Sequence, residues 1–407
     1  MSRGRRAGAL LSILAAFLLV ALACIALTGQ GFLGTDQFYN SYSLQARAWL
    51  DGRLDLADGA SYSWLELAIR DGKYYVSFPP FPSLVLLPLV AVFGVHTPDT
   101  LVALIFAALA CFHAVRLCQL LLPRRRYAAY WALGLLLCNG YLFLCLNGWV
   151  WFLAQNICFA LSLASLHHAV KGRGLLSLAA WAAAVGCRPM TAIFGPFLLW
   201  LLWREIRAQK PGVSLFSAVA ERLHWAILPL LLALFYMALN FLRFGNPLEF
   251  GHNYLPEFSQ YGAQFSLSYI APNLATLMRP PQFAGGRLIP YTIEGWGVWL
   301  LNPMLFVGIG VWLCGCRQNR GGASLWLLPL SCLACLVVIL MHRTLGGWQF
   351  GNRYMVDLLP WVFFGILIHH PQTPGGCGLL VKLSGPSMLL AGLLQTVGTV
   401  ATYLHWI

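Results

Sequence analysis

Read for its alternation of apolar and polar positions, the chain is dominated by long apolar runs, at residues 8–28, 99–121, 128–146, 150–170, 175–203, 224–243, 296–316, 323–342, 354–370 and 386–406. Most have the roughly 20 residues that an α-helix needs to cross a bilayer. Polar residues collect in two long connections, 29–98 and 244–295, and in several short ones. Two runs fit this scheme poorly. "FPPFPSLVLLPLVAVFGV", 78–95, holds Pro79, Pro80, Pro82 and Pro88 and is short for a span; 175–203 is long for one, and Arg188 and Pro189 interrupt it near its middle.

Charge decides how these two runs are read. Lys and Arg gather on the cytoplasmic side of membrane spans. If 78–95 does not span, and 175–203 is a pair of short helices turning back near Arg188, then 16 Lys and Arg fall inside with 2 acids, and 10 fall outside with 11 acids. If 78–95 did span, the Lys and Arg count would become 9 inside against 17 outside, with Arg124, Arg125 and Arg126 on the wrong face. A single span over 175–203 would leave Arg188 near mid-membrane at a cost of about 3 kcal/mol or more. The pattern therefore predicts an all-α polytopic membrane protein of about eleven spans, a single domain over 1–407, with its amino terminus inside and its carboxyl terminus outside. The first run follows Arg3, Arg5 and Arg6 as a signal peptide would, but it stays apolar beyond "ALAC" at 21–24 and reads as an uncleaved span.

The first outer loop, 29–98, carries its own structure signals. "DQFYNSYSLQARAWLDG" sets Phe38, Tyr42, Ala46 and Trp49 at helical spacing, and Asp51-Gly52 closes it, which predicts a helix on the membrane surface. "LELAIRDGKYYVSF" alternates on either side of Asp71-Gly72, the two-residue hairpin signal. The Pro-rich 78–95 then returns to the interface or re-enters it. Irregular backbone at that depth needs a cover of protein or water.

Composition narrows the classes. At 59% hydrophobic, 10% charged and a mean hydropathy of +0.71, the chain is no soluble domain. The net charge of +13 is accounted for by the inner loops, so nucleic acid is not implied as a partner. All 12 cysteines lie in or beside apolar runs, so no disulfide framework is indicated; "CGC" at 314–316 and "CLAC" at 332–335 read as packing. There is no Gly-rich nucleotide loop, and "DLAD" at 55–58 has the wrong spacing for a DxD metal motif. No cofactor is indicated; a divalent metal is compatible with the chain but not called for. His167 and His168 beside Lys171 read as interfacial.

Five stretches, in order, resemble the polytopic GT-C glycosyltransferases, in the bacterial branch akin to the protein O-mannosyltransferases and the aminoarabinose transferase of lipid A. They are "GTDQFYNSYSLQARAWLDGRLDL" after the first span, "GKYYVSFPPFPS", the broken helix "GCRPMTAIFGP", "NFLRFGNPLEFGHNY" and "GNRYMVDLLP". The resemblance implies transfer of a sugar from a polyprenyl-phosphate carrier in the outer leaflet to a glycan, lipid or protein acceptor, in the inner or plasma membrane of the cell. It also implies a catalytic acid in the first loop, a role that only Asp36 matches. Two departures weigh against a bound metal: "NGW" at 147–149 has no acidic pair, and Asp36 is followed by Gln37 where an Asp-Glu pair would stand.

Displacing a sugar from phosphate with inversion needs a base on the acceptor hydroxyl and cations for the departing phosphate. Asp36 can supply the base; as an ordinary residue it would be a loop Asp or a helix cap. Lys73, Arg188, Arg287, Arg343 and Arg353 are the outer-face cations, and Arg188, between two short apolar helices, needs a partner wherever it sits. Glu249 and His252 in "LEFGHNY" are candidates to hold the acceptor, and Tyr354, Trp348, Trp296 and Trp299 to stack on sugar or isoprenoid. The competing reading is a transporter or flippase of lipid-linked saccharide, with the basic residues lining a passage and Asp36 incidental. A structured loop after span one, an odd span number and the lack of an internal repeat favour the enzyme. A reporter fused after Arg126 is expected to read cytoplasmic; an external signal overturns the span scheme.

Overall fold

A computed structural model of the chain describes residues 3–29, 31, 38–122, 127–258, 262–284, 287–289, 295–317, 322, 324–369 and 376–405. Among them, five helical stretches are long and apolar enough to cross a membrane: Ala7–Leu27, Asp99–Leu121, Val150–Val170, Leu223–Phe244 and Leu379–Tyr403. Shorter apolar helices fill the spaces between them. Helix α1 (Arg3–Leu27) buries Ile13, Phe17, Ala21 and Cys24, one stripe at helical spacing, against the bundle core.

The segment after α1 folds as its pattern requires. Helix α2 (Ser41–Leu50) buries Tyr42 and Ala46 and stops at Asp51 and Gly52, whose φ of +71° favours glycine. Phe38, counted into this helix from its spacing, lies ahead of it and stacks on Trp64. Strands β1 (Leu67–Arg70) and β2 (Lys73–Val76) pair antiparallel with Arg70 opposite Lys73. Asp71 and Gly72 between them both have positive φ, the geometry of a two-residue I′ turn. Leu65, Leu67 and Val76 join Leu44, Ala48 and Leu56 in a small core of the segment's own. Because strand side chains alternate, Glu66 and Ala68 face the other way. The Pro-rich run forms α3 (Phe81–Phe93), 13 residues, whose ~20 Å falls short of a ~30 Å hydrocarbon core. Its first turn is held by Phe81 N–H on the Gly186 carbonyl and by Ser83 Oγ on Gln45 Oε1.

Next come α4 (Asp99–Leu121), α5 (Ala128–Leu137), α6 (Tyr141–Leu144), α7 (Val150–Val170) and α8 (Gly174–Val185). After a 3-10 turn, Pro189–Phe194, α9 (Gly195–Gln209) leads back, and the Gln209 amide comes beside Gly172, just ahead of α8. The chain therefore does reverse at Arg188. Phe194 anchors the reversal by stacking on Trp361 at 4.2 Å. Beyond these lie α10 (Leu215–Ala220), α11 (Ile227–Phe244), α12 (Ile270–Met278), β3 (Gln282–Ala284) paired with β4 (Arg287–Ile289), α13 (Val298–Leu301), α14 (Pro303–Arg317), α15 (Ser324–Met341), α16 (Leu359–His369) and α17 (Gly376–Tyr403).

Two runs read as continuous helices are broken. The 128–146 run stops at Cys138 and the 296–316 run at Asn302, and the breaks meet: the Gly140 N–H donates to Asn302 Oδ1, and Asn139 Nδ2 donates to the Gly134 carbonyl. Side-chain amides thus take up backbone groups that an apolar interior would leave orphaned.

One buried arginine ties the first long segment to the second. At the end of α11, Arg243 donates to the Val76 carbonyl at 2.9 Å and to Asn240 Oδ1, while Arg70 donates to the Arg243 carbonyl. Arg243→Ala is expected to cost about 2–4 kcal/mol through the lost charged hydrogen bonds and packing, read as a lower melting temperature and faster proteolysis between residues 70 and 80.

Candidate active site

The reversal at Arg188 places a guanidinium at one end of the bundle. Its Nε and Nη2 lie 3.0 and 2.7 Å from Asp357 Oδ2, in the 3-10 turn Arg353–Leu358 that opens α16. Asp357 is nearly sealed, with its side chain 5% exposed, and Gln155 Nε2 on α7 donates to its other oxygen at 3.0 Å. The pair is therefore satisfied on both sides, as a buried ion pair must be. The Arg188 guanidinium also sits 4.7 Å from the Tyr354 ring centroid.

Arg353 is different. It is 5% exposed, with its guanidinium 5.0 Å from the Tyr354 ring and 5.9 Å from that of Phe152. Nη1 donates to Gln155 Oε1 at 3.2 Å, and its backbone N–H to Gln349 Oε1. Among the described residues no carboxylate pairs with it, and its Nε has no acceptor. Arg188 is answered and Arg353 is not.

A histidine pair adjoins them. Arg343 Nη2 donates to His252 Nδ1 and to the His252 carbonyl, both at 2.7 Å, and its guanidinium lies over the Phe258 ring. His252 packs edge-on against His342, which packs against Tyr354. His342 Nδ1 donates to the Thr344 carbonyl, and its Nε2 accepts from Gln264. Burial pushes His252 down to about 3 and His342 down to about 4, with neighbouring cations adding to both. Both imidazoles are neutral at neutral pH.

Glu66 faces away from its own segment's core, towards Trp151 at the start of α7. Its Oε2 accepts from Trp151 Nε1 at 3.0 Å. Burial raises its carboxyl above the usual range, Glu257 adds to this, and the Trp151 N–H and the Arg353 charge pull it back. Trp151 continues into a run of rings: Tyr39 lies 4.7 Å from it and 5.1 Å from Trp149, and Trp149 lies 4.8 Å from Trp348. Trp348 holds its place with φ at +40°, a strained value for a bulky side chain.

Arg188, Arg353, Tyr354, Arg343 and His252 are thus brought together at one end of the bundle, with Trp348 beside them. Glu249 braces its own turn, accepting from the Gly251 N–H and from Asn253. Lys73 is exposed at the hairpin, opposite Arg70. Arg287 opens β4, and its side chain lies outside the described residues, as does the whole of Asp36. Trp296 packs on Phe350, and Trp299 donates to the Met278 carbonyl. His167 lies at the far end of α7, with Nδ1 2.9 Å from His113 Nδ1. Among the described residues no group of His, Cys, Asp or Glu is placed to hold a metal.

Glu66, Gln155, His342 and Asp357 were missed from the sequence. The alternation of "LELA" could have turned Glu66 away from Leu65 and Leu67. Asp357 was findable as the acid in "GNRYMVDLLP" that an arginine at a helix break demands.

No family model and no curated protein matches the chain. Among solved structures, it is similar to ArnT from Cupriavidus metallidurans bound to undecaprenyl phosphate, with a TM-score of 0.53 at 15% identity over 96% of this chain and 76% of that one. The apo structure of the same protein aligns at a TM-score of 0.45 and 13% identity, over 96% and 74%. The likeness to the bound form is one of fold: a helical architecture with several helices long and apolar enough to cross a membrane.

Asp357→Asn is expected to destabilise the protein by about 3–5 kcal/mol, because it leaves Arg188 buried without a counter-charge. The double variant Arg188→Met, Asp357→Leu is expected to recover most of the loss. Thermal unfolding in detergent checks both, and equal losses in the two variants would contradict the account.

Proposed function

We propose that the chain is an integral membrane glycosyltransferase that moves a sugar from a polyprenyl-phosphate donor to a hydroxyl acceptor, with inversion, at the extracytoplasmic face. The observation that carries this reading is the unanswered charge of Arg353. A buried cation with no carboxylate beside it is costly, and an anionic ligand removes the cost. A lipid phosphate supplies that anion from the apolar side. The fold likeness supports the choice, since the ArnT structure was solved with undecaprenyl phosphate bound.

In this reading Arg353 meets the phosphate, with Arg343 near enough to share its charge through the His252 and His342 wall. Arg188, engaged with Asp357, positions the 3-10 turn that carries Arg353 and Tyr354. Asp36 is the general base on the acceptor hydroxyl, in the segment that leads into Tyr39 and α2. About eleven spans, with the amino terminus inside, put this end outward. The two ends of the bundle differ in charge in the sense this needs. Arg116, Lys171, Arg173, Lys210 and Arg222 gather at the end opposite Arg188, where Trp225 reaches Gly174 and Gln209 reaches Gly172.

The test is purified protein in nanodiscs, given radiolabelled undecaprenyl-phosphate sugars and extracted envelope acceptors. Asp36→Asn is expected to lower kcat by about 10²-fold or more. Arg353→Met is expected to lower kcat/KM for the donor by about 10²-fold. Transfer by Asp36→Asn at the wild-type rate removes the base, and wild-type donor kinetics in Arg353→Met remove the phosphate site.

A further inference from the structure

Glu66 and the rings around it remain after the phosphate, the acceptor base and the ion pair have been assigned. Several observations set them apart from ordinary packing. Glu66 has one oxygen on Trp151 and the other with no hydrogen bond among the described residues, and no cation forms an ion pair with it there. Its side chain is partly open, as are Tyr39, Trp149, Trp151 and Trp348. The rings come from three separate parts of the chain: the segment that follows Asp36, the entrance of α7, and the 342–352 loop. Trp348 enters at a positive φ, a strained backbone angle that persists only where its surroundings fix it.

A carboxylate with a free oxygen, set beside flat aromatic faces, is complementary to a sugar. The carboxylate accepts from hydroxyl groups, and the rings cover the apolar C–H face. An isoprenoid would use the rings but leave Glu66 desolvated and unsatisfied. We propose that Glu66, Trp151, Trp149 and Trp348 form the subsite that holds the sugar ring of the donor, a neutral monosaccharide hydroxyl-bonded to Glu66. The inference rests on the glycosyltransferase reading for its choice of donor over acceptor. The Arg353 guanidinium lies 5.9 Å from the Phe152 ring, which stacks on Trp149 and Trp348 at 5.8 and 6.1 Å, so a sugar joined to a phosphate at Arg353 meets the same group of rings. The role assigned to Glu66 is binding and orientation, with the proton transfer left to Asp36.

The test measures binding, which needs no turnover. Detergent-purified wild type is titrated with undecaprenyl phosphate and with undecaprenyl-phosphate monosaccharides, followed by tryptophan fluorescence. The glycosylated lipid is expected to bind on the order of tenfold tighter than the bare lipid phosphate. Glu66→Gln, which keeps an acceptor for Trp151, and Trp348→Ala are each expected to erase that difference while leaving the Kd for bare undecaprenyl phosphate within about twofold. Saturation-transfer NMR with methyl hexopyranosides and pentopyranosides is expected to show contact at the C–H face in wild type, lost in Trp348→Ala, with lipid absent. A sugar-dependent gain that survives in Glu66→Gln overturns the subsite. So does equal loss of bare-lipid binding at an unchanged melting temperature, which makes Glu66 part of the phosphate site. Sugar contact that responds only to the extracted acceptor glycan overturns the assignment to the donor. Failure of the phosphate reading looks different: wild type then binds no undecaprenyl phosphate, while the methyl glycosides still report on Glu66 and Trp348.

Discussion

A charge inside an apolar bundle must be answered, and the way Arg188 is answered organises much of this protein. Its guanidinium sits where the chain reverses between α8 and α9, and Asp357 meets it from the turn before α16. Gln155 on α7 holds both the Asp357 carboxylate and the Arg353 carbonyl. One ion pair and one amide therefore fix three helices relative to each other at the end of the bundle that carries the other polar residues. Desolvating two charges costs several kcal/mol per ion before their attraction is counted, so such a pair adds little to stability over apolar packing. Its effect is positional: it fixes where Tyr354 and Arg353 stand.

Arg353 shows the other side of the same constraint. It shares Tyr354 with Arg188 and Gln155 with Asp357, yet no acid forms an ion pair with it among the described residues. Two arginines at one aromatic ring, one neutralised and one not, make a site with a net positive charge in a medium of low polarity. Coulomb attraction there is far stronger than in water. The neutral state of His252 and His342 keeps that charge from growing further at physiological pH.

Local patterns in the sequence survived the comparison with the structure, and long-range pairings were its weak point. Asp71-Gly72 specifies a hairpin by backbone geometry alone, and the hairpin is present with Arg70 opposite Lys73. Arg188 and Pro189 marked a break because an arginine and a proline both disfavour the middle of an apolar helix, and the chain does reverse there. The breaks at Cys138 and Asn302 coincide with Asn139-Gly140 and Asn302-Pro303, turn dipeptides that the apolar residues around them outweighed. One hydrogen bond joins them, from the Gly140 N–H to Asn302 Oδ1, and neither run shows that partner. Glu66 and Asp357 were passed over for the same reason: what distinguishes them is Trp151, 85 residues away in sequence, and Arg188, 169 residues away. Arg353 was visible as a cation at the start of an apolar run, but its lack of an ion-pair partner among the described residues is a property of the packed end alone.

The segment 38–98 explains how a polar wall is held steady against an apolar bundle. Its own core is small, six buried residues from α2, the hairpin and their connection, and a core of that size cannot fix a side chain to ångström precision. The hairpin is instead fastened from outside, with the Val76 carbonyl held by Arg243, Arg70 returning a bond to the Arg243 carbonyl, and Tyr75 packed against Phe244. Ser77 Oγ donates to the Glu66 carbonyl across the strands. Glu66 therefore inherits its position from α11, and its orientation from Trp151 on α7. A residue held by two different helices, through two different elements, keeps its place only while both helices keep theirs. That dependence links Glu66 and the rings beside it to the packing of the whole bundle.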